Sequence, residues 1–138
     1  MTSSKSDYEL TVEHRKGYVY ARVRGNVSRP EITIDYLTDI TDACRKVQCT
    51  KVVIEKEIPR AFAVWDIFFV ATQFPRFTYE LTKVAVVDKR MARFERREFS
   101  VVAGSKPGLD VHVFTNVQEA EAWVLAEKAG KDKRKKHR

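Results

Sequence analysis

Three histidines and two cysteines are the side chains of this 138-residue sequence best suited to nucleophilic or metal chemistry. His14 falls in a predicted turn, His112 in a predicted strand and His137 near the end of the chain, and none has a partner at a recognisable motif spacing. Cys44 and Cys49 lie near a predicted helix end and strand start, without further ligands nearby. We therefore expect reduced, packed thiols, with no catalytic set, no metal and no cofactor.

Arginines gather by sequence around two predicted helix starts: Arg60, Arg76, Arg90, Arg93, Arg96 and Arg97. Helix N-termini and guanidinium groups together favour anions, which indicates a site for a phosphate-bearing ligand. Its candidate members are Arg60, Arg76, Arg90 and Arg93. The alternative is a solvated helix surface on which arginines pair with Glu95 and Glu98. We favour that surface, because no glycine-rich phosphate loop accompanies the arginines.

Two carboxylates, Glu55 and Glu57, straddle the end of a predicted central strand. Ligands of α/β proteins often bind outside the carboxyl ends of parallel strands, so these side chains stand where a binding site could form. We favour a simpler arrangement in which both are loop carboxylates that face Lys56 and Arg60.

The positive charge of the chain is concentrated at its end. The net charge is +7, and residues 131–138 contribute +5 of it through six Lys and Arg against one Asp. This tail has no apolar residue to bury, so we expect it to be disordered. It could contact nucleic acid or an anionic membrane without sequence specificity, or simply add solubility. Its cationic residues are Lys131, Lys133, Arg134, Lys135, Lys136 and Arg138.

Residues 61–74 predict a helix with large apolar side chains on more than one face. A surface helix needs only one apolar stripe, so this one is either covered from both sides or partly an interface. We favour an interface, most simply that of a symmetric homodimer. A wall of a small-molecule or lipid pocket is a further alternative. The predicted contact residues are Phe62, Trp65, Asp66, Phe68 and Phe69.

The elements that position these residues alternate along the chain. Apolar residues at every second position from Tyr8 to Val12 predict a strand, which a turn at Gly17 joins to a second strand over 18–24. Short apolar runs at 51–55 and 83–87 predict two further, central strands, and residues 110–114 predict the last strand. Helices between strands favour parallel pairing. We therefore expect one α/β domain over residues 8–130, with a hairpin that feeds a mixed, mostly parallel sheet, and disordered residues 1–7.

About four helices complete this prediction. The first follows a capping signal at Ser28 and Glu31, the second covers 62–74, the third is capped by Asp88 and ends at Gly104, and the fourth follows Thr115 or Asn116 and ends at Gly130. Their predicted inward residues are Ile32, Tyr36, Ile40, Ala43, Cys44 and Val47 for the first, Met91, Phe94, Glu98 and Val101 for the third, and Val117, Ala120, Val124 and Leu125 for the fourth.

The order of several of these segments resembles that of a known domain family. They are the strand over 18–24 that ends in Gly25, the capped helix after it, the strands 51–55 and 83–87, and the ending Val113-Phe114-Thr115 followed by Glu119, Ala120 and Trp123. In this order they resemble the STAS-like, or SpoIIAA-like, domain family of bacterial anti-sigma-factor antagonists, over residues 18–125. The resemblance implies a non-enzymatic, regulatory interaction domain with a protein partner in a bacterial cytoplasm.

One departure from the family bears on mechanism. Antagonist members carry a phosphorylatable Ser or Thr in the loop after the central strand, whereas residues 54–66 of this chain contain neither. A phosphorylation switch is therefore not carried over. The N-terminus lacks an apolar signal core, and the apolar run 61–71 is too short to span a bilayer, so we expect a cytoplasmic protein without an integral membrane segment.

Overall fold

The computed structural model describes residues 2–4, 8–25, 30–58, 81–104 and 107–126, which form a six-stranded sheet and three helices. In chain order the strands are β1 (Thr2–Ser4), β2 (Tyr8–Arg15), β3 (Tyr18–Gly25), β4 (Lys51–Glu57), β5 (Lys83–Val87) and β6 (Asp110–Phe114). The helices are α1 (Pro30–Lys46), α2 (Arg93–Ala103) and α3 (Val117–Leu125). The helix predicted over 62–74 lies outside the described residues.

The sheet is mixed and follows the chain from edge to edge. β1, β2 and β3 pair antiparallel, and β3, β4, β5 and β6 pair parallel in sequence order. This confirms the predicted hairpin and the mostly parallel sheet. Gly17 takes a φ of +89° in the turn of the hairpin, a region that favours glycine. The sequence predicted no ordered element in residues 1–7, whereas Thr2–Ser4 pairs with β2 as a short edge strand.

One face of the sheet is covered by α1 and α2. The inward residues of α1 follow the prediction, since Ile32, Tyr36 and Ile40 are all buried in the main core. Val47 was predicted on the same stripe, and this is wrong: the helix ends at Lys46 and Val47 is 39% exposed. The buried stripe of α1 depends on helical geometry, so it does not continue to residues after the helix end.

The opposite face of the sheet is covered by α3. Ala120 and Val124 face inward as predicted and meet Tyr20 and Val53 in a second apolar cluster. Leu125 was predicted inward as well, but it is 45% exposed at the last position of the helix. The helix starts at Asn116, whose side-chain oxygen accepts a hydrogen bond from the Glu119 N–H at 2.8 Å.

Helix α2 departs most from the prediction. It starts after Ala92 rather than at Asp88, and the Glu95 carboxylate accepts from the Ala92 N–H at 3.0 Å. Its buried side chains are Phe99 and Ala103. The predicted inward residues Phe94 and Val101 are instead 62% and 65% exposed, and Glu98 is half-buried. Apolar residues occur all around this helix, so periodicity could not select the face. The predicted end at Gly104 is confirmed.

The two cysteines differ in burial, which predicts different reactivities. Cys44 is 1% exposed, and burial, with a smaller effect of Cys49, raises its pKa to about 12. Against the ordinary value of 9.0, this lowers the thiolate fraction about 1,000-fold. Cys49 is only partly buried. We expect Ellman's reagent to label one thiol of the native protein quickly and the second only on unfolding, with the fast reaction lost in Cys49→Ser. Equal rates for both thiols would contradict this.

Candidate functional site

A groove runs between the outer side of α2 and the edge strand β6. It has a volume of about 650 Å³, and we call it the α2–β6 groove. Its lining residues are Arg93, Phe94, Arg96, Arg97, Ser100, Val101, His112 and Val113. The apolar side chains among them come from both elements. The surface is therefore a basic and apolar channel beside the sheet, rather than a closed pocket.

Helix α2 supplies most of the residues that line the groove. Phe94, Arg97 and Val101 lie on the same face of this helix, since they are three and four residues apart. Two hydrogen bonds fix the backbone near this face. The guanidinium of Arg96 donates to the Met91 carbonyl at 2.8 Å, and the Ser100 hydroxyl donates to the Arg96 carbonyl at 2.9 Å. The first of these bonds holds the Arg96 guanidinium against the turn that precedes α2.

The described residues that line the groove carry charge of one sign. Three of them are arginines and none is a carboxylate. Of the residues predicted to bind an anion, Arg93 lines the groove. Arg90 is exposed in the turn before α2, where its backbone N–H donates to the Asp88 carboxylate at 2.9 Å. Arg60 and Arg76 lie outside the described residues. The structure thus adds Arg96 and Arg97 to Arg93, a grouping that the sequence interpreted as a salt-bridged surface.

Strand β6 is the last strand of the sheet that the described residues form, and it borders the groove. The Asp110 N–H donates to the Thr82 carbonyl at 2.8 Å, and the Phe114 carbonyl accepts from the Asp88 N–H at 2.9 Å. Alternate residues of a strand direct their backbone groups to the same neighbour, so Val111 and Val113 point theirs away from β5. Among the described strands none lies on that side. Such an edge can accept a further strand.

A buried ion pair lies at the carboxyl ends of β4 and β5. The Lys56 Nζ is 3.3 Å from Asp88 Oδ2, and the two side chains are 13% and 9% exposed. Burial alone lowers the pKa of Lys56, but Tyr36 and Asp88 more than compensate through charge and hydrogen bonds, so that the pKa is raised. This lysine is therefore a cation rather than a nucleophile. Nothing in the sequence pattern indicated the pair.

Carboxylates on the α3 side of the sheet are each held by a hydroxyl or a guanidinium. Glu55 accepts from the Tyr20 hydroxyl, and burial followed by this hydrogen bond raises the pKa of Tyr20. Glu57 takes two hydrogen bonds of 2.9 Å from Arg22. The sequence interpretation, in which both glutamates face Lys56 and Arg60, is wrong for Lys56, since that lysine lies on the other face. These paired groups are typical of structural contacts.

The histidines and cysteines show no assembled metal or catalytic chemistry in the described part of the chain. The ring of His112 packs 4.8 Å from that of Trp123 on the α3 side of the sheet, an ordinary aromatic contact. No group of three His, Cys, Asp or Glu side chains suited to a metal occurs among the described residues. None of the helices described is long and apolar enough to cross a membrane.

Two of the predicted sites fall on residues that the structure does not describe. They are the aromatic contact set (Phe62, Trp65, Asp66, Phe68 and Phe69) and the cationic tail at 131–138. Both stay predictions. The groove was missed by sequence reasoning because its signal, two apolar residues on α2, was interpreted as core.

Comparison with solved structures finds chains of similar structure. The chain is similar to the crystal structure of an uncharacterized protein of the DUF3478 family with a SpoIIAA-like fold from Shewanella loihica PV-4. The two share 15% sequence identity over 90% of this chain and 98% of the other, with a TM-score of 0.48. No protein-family model and no curated protein matches the chain.

Proposed function

We propose that this chain is a non-enzymatic STAS-like interaction domain, which regulates or scaffolds a protein partner in a bacterial cytoplasm. The observation that supports it is the α2–β6 groove, where Phe94 and Val101 are 62% and 65% exposed beside three arginines. Aromatic and arginine side chains are enriched at protein contacts, and an exposed apolar patch marks such surfaces. Two of the polar pairs elsewhere, Tyr20 with Glu55 and Arg22 with Glu57, join a hydroxyl or a guanidinium to a carboxylate, as structural contacts do, although the buried Arg22 Nε has no hydrogen-bond partner among the described residues.

Affinity capture from the native lysate tests this function. The bait is the full chain or the chain ending at residue 130, each with and without nuclease. A discrete protein should be recovered in all four cases, and it should bind the purified chain at a fixed stoichiometry. Recovery that disappears with nuclease or with the tail would contradict the proposal.

Self-association is a second part of the proposal and rests on the aromatic segment of the sequence. Trp65→Glu should convert a dimer to a monomer in light scattering while leaving the circular dichroism spectrum unchanged, because a carboxylate at a contact centre is costly. Phe94→Glu is the matched control, since this phenylalanine is exposed on α2. It should leave the dimer intact. A monomeric wild type, or a dimeric Trp65→Glu variant, would contradict the assignment.

A nucleic-acid-associated protein is the alternative function, and the uneven charge supports it. Residues 131–138 carry +5 of the net +7. If this tail binds nucleic acid, removing it should abolish binding and flatten its dependence on salt. Unchanged binding by the truncated chain would exclude the alternative.

A further inference from the structure

We propose that the α2–β6 groove binds an extended acidic segment of a partner protein, which joins the sheet beside β6 as a further strand. This inference rests on the proposed function of an interaction domain and adds the site and the chemistry of its partner. Three features carry it: a strand edge with no neighbour among the described strands, exposed apolar side chains next to that edge, and a group of arginines without an ion-pair partner in the described part of the chain.

The edge gives the backbone contacts. Val113 directs its N–H and C=O away from β5, at the part of β6 that lines the groove. The start of β6 is less open, because the end of α2 approaches there: a Cβ added to Gly104 would lie 3.4 Å from the Val111 nitrogen. An added strand therefore finds its free partners toward the carboxyl end of β6, where main-chain hydrogen bonds would supply affinity.

The side chains of the groove set the composition of that strand. Phe94 and Val101 offer apolar contact on the helix side. Arg93, Arg96 and Arg97 offer charge, and none of them forms an ion pair with another residue of the described chain. A strand exposes alternate residues to the two sides of a sheet. The matching sequence therefore mixes apolar residues with Asp or Glu.

Charge also distinguishes this occupant from two others. The tail at 131–138 is strongly cationic, so the arginines of the groove repel it. In a second copy of the chain, a two-fold contact through this face would place the same patch opposite itself, and its arginines would repel each other. A separate acidic segment meets neither penalty.

Selection from a displayed library of random peptides of about ten residues, longer than the five residues of β6, tests the inference on the full chain. The selected peptides should be rich in Asp and Glu interspersed with apolar residues. Anisotropy with the best labelled peptide should show a loss of affinity of about tenfold or more in Arg97→Glu and in Phe94→Ala. Arg45→Glu, the same charge reversal on α1, should bind like the wild type.

Backbone methylation tests strand addition itself. Two versions of the selected peptide carry N-methyl groups on alternate residues, one on the odd and one on the even positions. A strand paired with β6 should tolerate one version and lose binding with the other, because alternate amides face the edge. Equal binding of both versions, or equal loss, would overturn strand addition.

Three other results would overturn the groove as the site. They are neutral or basic consensus peptides, binding that persists in Arg97→Glu and Phe94→Ala, and a selection that enriches no peptide. In the first two cases the chain still binds peptides, so the interaction function stands while the groove assignment falls. After the third, lysate capture decides the interaction function independently.

Discussion

Replacing Asp88 with alanine is expected to lower the free energy of unfolding by about 3–5 kcal/mol. The carboxylate lies 3.3 Å from the Lys56 Nζ in a setting where the two side chains are 13% and 9% exposed. In the variant, Lys56 is a buried cation that has lost the Asp88 carboxylate as its counter-ion. The backbone N–H of Arg90 also loses its acceptor, the Asp88 Oδ1 at 2.9 Å. Urea unfolding followed by circular dichroism measures the change.

The control for this variant is the same substitution in an exposed ion pair. Asp42 lies 2.7 Å from Arg45 on α1, with the two side chains 51% and 46% exposed. Asp42→Ala should cost less than about 0.5 kcal/mol, because solvent screens such pairs. Combining Asp88→Leu with Lys56→Met should recover much of the loss, since no buried charge is left without a partner. Equal small costs for Asp88→Ala and Asp42→Ala would contradict the burial of the pair.

The dependence on pH follows from the direction of the lysine shift. The pKa of Lys56 is raised in the folded state, so its contribution is complete below the ordinary lysine value of 10.5 and is lost only as the pH rises through the folded pKa. The difference between wild type and Asp88→Ala should therefore persist from neutral pH to about pH 10.

The sequence predicted β2 to β6 because each has an apolar pattern of its own, whereas the polar β1 has none. Leu10 and Val12 alternate with polar neighbours on β2, whose other face is less covered. The residues of β5 after Lys83 are all buried, as expected for a strand with helices on both faces. Local composition thus determines the type of these elements and, for β5, a central place in the sheet.

Features that depend on tertiary register could not be predicted. Lys56 and Asp88 come from different strand ends and meet only through the pairing of β4 with β5. The groove depends on β6 ending the sheet and on the rotation of α2, and neither has a local signal. The predicted inward face of α2, with Phe94, and the observed buried face, with Phe99, both follow helical spacing. Only packing against the sheet shows that Phe99 is buried and Phe94 is exposed.

Two phenylalanines of α2 should therefore differ sharply in their contribution to stability. Phe99 is 6% exposed within the main core, and Phe99→Ala should lower the free energy of unfolding by about 3–5 kcal/mol through lost burial and the cavity left behind. Phe94 is 62% exposed, so Phe94→Ala should change stability by less than about 0.5 kcal/mol. The residue type, the helix and the substitution are the same in both variants, which isolates the effect of the helix rotation. Chemical denaturation of the two variants measures it. A large cost for Phe94→Ala with a small one for Phe99→Ala would place the sequence-predicted face of α2 against the sheet, and the α2–β6 groove would then lose its aromatic wall.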